Sequence, residues 1–68
     1  MNEDNLNMEI RKFLKKVGIS SQRIIESSIN NAIKEGSIDK GMKIDLEMKL
    51  NINSLNIVHI ISDKIQVD

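Results

Sequence analysis

One histidine, His59, and no cysteine limit the chemistry open to this 68-residue chain. A cysteine nucleophile, a thiolate metal site and a disulfide are ruled out. A site built on several histidines is ruled out as well. For His59 to act as a general base it needs a nucleophile and an orienting carboxylate. Ser62, Asp45 and Asp63 are the nearest partners by sequence or strand register. Period-two alternation puts Asp45 and Ser62 on the face opposite His59, so no triad closes. A second arrangement, Gly36 to Lys43, offers two glycines and a lysine. A phosphate loop requires lysine directly after its second glycine, then Ser or Thr, in a strand-to-helix turn. Here Met42 follows Gly41, and the order is helix into strand. No catalytic, cofactor-binding or metal-binding residue follows from the pattern, and the expectation is a protein that is not an enzyme.

Binding chemistry is better supplied. Arg11, Lys12, Lys15 and Lys16 form a basic face on a first helix, opposite an apolar stripe. Arg23, Asn30 and Lys34, with Ser27, form a polar stripe on a second. Both suit an anionic partner, and the second set can hydrogen-bond base edges and phosphates. Phe13, Val17, Gly18, Ile19 and Ile24 also fall near the spacings of a helix-turn-helix unit. Against that stand Leu14, where a small residue normally lets the helices approach, and Ser27, where a hydrophobe is expected. Ten cations balance ten anions, whereas counterion release requires several unopposed cations. With neither Trp nor Tyr, and Phe13 alone among aromatics, base stacking is not available. Nucleic-acid binding through a helix-turn-helix-like hairpin is therefore the alternative expectation, and protein binding the first.

These side chains need elements to hold them. From Leu6 to Ile33 the apolar period is helical; from Ile44 it is two. The first helix is predicted over 3–17, with the stripe Leu6, Ile10, Phe13, Leu14 and Val17, capped by Asn2 and stopped by Gly18. The second is predicted over 21–35, with the stripe Ile25, Ile29, Ala32 and Ile33, capped by Ser20 or Ser21 and stopped by Gly36. Ile24 lies off that stripe. A linker, 36–43, follows, with Ile38 and Met42 covering the core edge. The first strand, 44–52, alternates Ile44, Leu46, Met48, Leu50 and Ile52 with polar residues. An Asn53-Ser54 turn leads to a second strand, 55–61, placing Met48 opposite His59. Ser62 to Lys64 turns again into a short third strand, 65–67, whose last residues are expected to fray. The whole is one α+β domain over 1–68, two-layered and ordered ααβββ: a helical hairpin packed on a three-stranded antiparallel meander.

The opening MNEDNLNMEIRKFLKKVG, Met1 to Gly18, and the SQRIIE at Ser21 to Glu26 resemble the start of a family of short bacterial proteins classed as a domain of unknown function. The likeness is strongest over the first 26 residues. Ile24 departs from it, since a charged residue is expected there. The resemblance implies a small bacterial protein of unassigned activity, with no catalytic residues to carry over. So specific an opening also implies that the polar face of the first helix has a task.

Two further features bear on partners. Nothing approaches the roughly 20 apolar residues of a membrane span. The acidic N-terminus, with no apolar run behind it, is unlike a signal peptide. The expectation is a cytoplasmic protein with no membrane and no metal. On the back of the sheet, Val58 and Ile60 are apolar among Lys, Asp, Glu and Asn. A chain this short gains stability by covering such a spot with a second copy or another protein. The expected function is a small non-enzymatic interaction module that binds protein or itself, with Val58 and Ile60 as the candidate oligomer contact.

Overall fold

A computed structural model describes residues 2–68. The chain divides into two units, Met1–Ser37 and Ile38–Asp68. The first contains one helix, α1 (Glu3–Glu35). The second contains β1 (Lys43–Ile52), a single 3-10 turn (Asn53–Leu55) and β2 (Ile57–Gln66). The class is α+β, as predicted. Among the described residues the helical hairpin and the third strand are not present: one helix replaces two, and two strands replace three.

The helix runs unbroken through Gly18, Ser20 and Ser21, where a turn was predicted. The reason is energetic. A glycine inside a helix costs about 1 kcal/mol relative to alanine, and serine costs less. Only proline forbids continuation outright, and the chain has none. Gly18 lies in the middle of a 33-residue helix capped at both ends, so its cost is offset by the cooperativity of the whole helix. The ends are capped as expected. The Asn2 side-chain oxygen accepts from the Asp4 and Asn5 amides at 3.0 and 3.3 Å. Glu3 and Asp4 lie in the first turn and Lys34 in the last, as the helix dipole favours. Gly36 stops the helix in the left-handed region, φ 79°. There the Gly36 amide donates to Ile33 and the Ser37 amide to Ala32, at 3.1 and 2.9 Å, closing a Schellman motif.

The hairpin is one antiparallel ladder from Lys43↔Gln66 to Ile52↔Ile57. Its connection is four residues, Asn53 to Asn56, not the two predicted. Asn56 accepts the left-handed conformation, φ 53°, that closes the 3-10 turn. The longer loop moves the register by two residues: His59 sits opposite Leu50 and Ile61 opposite Met48. A two-residue shift leaves residues 57–61 on their predicted faces, because the pleat also repeats every two, while Leu55 passes from the predicted strand into the turn. Ser62, Asp63 and Lys64 do not turn. They pair with Glu47, Leu46 and Asp45, so the predicted third strand is the end of β2. No glycine or proline interrupts them, and the first half of β1 offers a free ladder. Val67 continues the pairing, donating to the Met42 carbonyl at 2.9 Å and accepting from the Gly41 amide. It does not fray; among the described residues it is the only buried one, 5% exposed.

Elsewhere burial is partial. Val17, Ser21, Ile25, Ile29, Ala32 and Ile33 are the half-buried residues of α1. In the hairpin unit the half-buried residues are Ile38, Ile44, Leu46, Leu50 and Ile65. Ile38 thus meets its predicted role only in part, and Met42 stays exposed at 44%.

Gly18 separates one helix from two. A Cβ there meets nothing within 4 Å. Gly18→Ala is expected to stabilise the protein by about 0.5–1 kcal/mol, seen as a higher midpoint in urea unfolding followed by helical circular dichroism. Gly36→Ala, at φ +79°, is expected to destabilise it by about 1 kcal/mol. A loss of stability in Gly18→Ala contradicts the continuous helix.

Candidate interaction surfaces

Continuity of α1 rearranges the helical side chains. At about 100° per residue, the Ile25–Ile33 stripe is turned roughly a quarter-turn from the Leu6–Val17 stripe. Ile24 lies about five full turns beyond Leu6 and falls in line with it. It therefore belongs with the first stripe, a placement that only a helix continuous through Gly18 gives it. Leu6, Ile10, Phe13, Val17 and Ile24 follow the alternating four-and-three spacing of a heptad seam, with Ser20 at the omitted position. Four of these are open to solvent: Leu6 at 44%, Ile10 at 46%, Phe13 at 54% and Ile24 at 65%. Leu14, beside the seam, is 54% exposed.

The basic residues are redistributed too. Lys12, Lys16, Arg23, Asn30 and Lys34 share one face of the single helix, within about 40° of one another. Arg11 and Lys15 stand off that line, toward the neighbouring face. All seven are exposed. The Lys12 ammonium lies 3.7 Å from the Glu9 carboxylate, an exposed pair with little energetic weight. The second helix of a helix-turn-helix unit is missing, because Ser21 to Glu35 continues the same rod as Glu3 to Val17. Among the described residues no recognition helix is set at an angle, so the predicted helix-turn-helix geometry does not form.

The hairpin has two unlike faces. One carries Ile44, Leu46, Met48, Leu50 and Ile52 from β1 and Ile57, His59, Ile61, Asp63 and Ile65 from β2. The other carries Lys43, Asp45, Glu47, Lys49 and Asn51, with Val58, Ile60, Ser62, Lys64 and Gln66. Val58 and Ile60 are therefore on the polar face as predicted, opposite Asn51 and Lys49, and are 58% and 52% exposed. His59 is on the apolar face as predicted, but it is exposed and faces Leu50, not Met48. Asp45 and Ser62 lie on the other face, so no triad assembles.

One concavity marks the hairpin, lined by Asp45, Leu46, Glu47, Ser62, Asp63 and Lys64. It is open to solvent. Lys64 reaches Asp45 across the strands at 3.9 Å, again as an exposed pair. Among the described residues no group of His, Asp and Glu side chains is placed to hold a metal ion. No helix among them is long and apolar enough to cross a membrane.

The model of one protein family matches residues 1–68, the whole chain; it is described as a family of unknown function, DUF6494. Comparison with curated proteins and with solved structures gave no match.

Asp63 is the one charge on the apolar hairpin face, opposite Leu46. A charge there guards an unpaired sheet edge against further pairing. Asp63→Val is expected to stabilise the hairpin by about 0.5 kcal/mol through cross-strand contact. It is also expected to increase aggregation. Urea unfolding and light scattering on the same samples check both effects.

Proposed function

The chain belongs to that family, which carries no assigned activity, and we propose from its surfaces that it is a small non-enzymatic module that works by binding protein, another copy of itself included. The carrying observation is apolar side chains left open on both units. Leu6, Ile10, Phe13 and Ile24 on the helix, and Ile57, Val58, Ile60 and Ile61 on β2, are all at least 44% exposed. A lone helix and a two-stranded ribbon each lack a second layer of their own. Side chains of this kind are usually covered by a partner surface. Val58 and Ile60 remain a candidate contact on the hairpin, between Lys49 and Asn51. The balanced charge favours an apolar, salt-tolerant contact. The compartment we propose is the cytoplasm, consistent with a chain without cysteine.

A second reading has one observation in its favour. The unbroken helix lines up Lys12, Lys16, Arg23, Asn30 and Lys34 over roughly 33 Å. Such a line can follow a phosphate backbone without any helix-turn-helix. Ten acidic residues oppose it.

Amide nuclear magnetic resonance with mixed DNA and RNA, at low and then physiological salt, separates the two. The protein-binding module is expected to show no shifts that survive physiological salt. Its own association, followed by sedimentation, is expected to change little between the two conditions. Shifts confined to Arg11–Lys16 and Arg23–Lys34 that persist at physiological salt overturn the module in favour of nucleic acid.

A further inference from the structure

We propose that two copies of the chain pair their α1 helices antiparallel along Leu6, Ile10, Phe13, Val17 and Ile24. This rests on the protein-binding reading and names the surface and the partner. A narrow seam at heptad spacing suits helix-on-helix packing, where each side chain inserts between four of the facing helix. The flanks show which direction suits it. On one side of the seam stand Glu9, Lys16 and Arg23, seven residues apart; on the other stand Asn7, Leu14 and Ser21.

A parallel pair puts Glu9 against Leu14 and Lys16 against Ser21, so no ion pair forms. An antiparallel pair brings like flanks together. With Leu6 against Ile24 of the partner subunit, Phe13 meets Val17 of the partner subunit. Glu9 then lies beside Arg23 of the partner subunit, twice by symmetry. Leu14 meets the partner's Leu14 on the twofold axis, covering a leucine that is 54% exposed in one chain. The weak points are few. Ile10 meets Ser20 of the partner subunit, and the two Lys16 side chains approach at the axis, where their length lets them splay into water. A slip by one heptad brings Glu9 beside Lys16 of the partner subunit instead. It also carries Ile24 past the partner helix's start and leaves it bare. The intrahelical Glu9–Lys12 contact, 3.7 Å between side chains about 70% exposed, does not hold Glu9 back. The contact is isologous and closes at two copies, so it does not propagate into a fibre.

Sedimentation equilibrium of the full chain, from micromolar to millimolar protein, tests this. The wild type is expected to be a dimer at the upper end. Phe13→Lys with Ile24→Lys is expected to be monomeric throughout. Because those changes also touch the helix, a charge exchange supplies the second arm. Glu9→Arg alone and Arg23→Glu alone each turn two attractions into repulsions, and each is expected to raise the dimer dissociation constant about tenfold. Together they restore both pairs and are expected to return it to the wild-type value. Three results overturn the proposal. The wild type stays monomeric; the double exchange fails to rescue; or Val58→Lys with Ile60→Lys dissociates the dimer while the helix variants do not. The last refutes the seam and leaves the protein-binding module standing on the hairpin.

Discussion

A single helix cannot cover its own apolar stripe, and two strands cannot cover their own apolar face. Most of what distinguishes this protein follows from that constraint. Folded domains solve it by stacking layers until each apolar face has an opposite. Here each unit has one layer. Val67 alone is buried among the described residues, while side chains such as Phe13, Ile24 and Leu55 stay more than half exposed. A partner surface, as proposed above, is one source of apolar cover.

The same constraint explains where local signals do the structural work. α1 is held by its own hydrogen bonds, by the Asn2 cap and by the Schellman closure at Gly36. The hairpin is held by its ladder and by the turn at Asn53 to Asn56. The ion pairs, Glu9–Lys12 and Asp45–Lys64, are exposed and add little. A helix of 33 residues is long enough to form largely on its own, whereas a two-stranded hairpin is marginal alone.

The functional surfaces depend on whether α1 breaks. Were it broken at Gly18, the cations would split between two helices, Ile24 would be a stray, and a DNA-binding hairpin would be conceivable. Unbroken, the rod places Lys12 through Lys34 on one face and Leu6 through Ile24 on another. Both surfaces are then long and straight, about 100° apart around the helix, with Lys16 and Arg23 flanking the apolar seam. A long straight apolar seam suits another helix better than a pocket or a base edge. The proposal of a protein partner draws on that geometry more than on any single residue.

Much was legible in residue order alone. The helical period to Ile33, the alternation from Ile44, the Asn2 cap, the stop at Gly36 and the faces of residues 44–52 and 57–61 follow from side-chain type and spacing, which act within a few residues. Three things were not. Gly18 with two following serines carries the same local signal in a helix end as in a tolerated helix interior, and the roughly 1 kcal/mol between them is decided by the turns on either side. The hairpin register depends on whether the loop has two residues or four, and pairing over the whole ladder decides that, since a shift of two leaves the pattern unchanged. Ser62 to Lys64 looks like a turn in isolation and becomes strand because β1 is long enough to pair with it. Short-range preference thus determined which residues are helical or extended and which way they face. Long-range pairing and the continuity of the rod decided how many elements there are, and so which side chains share a surface.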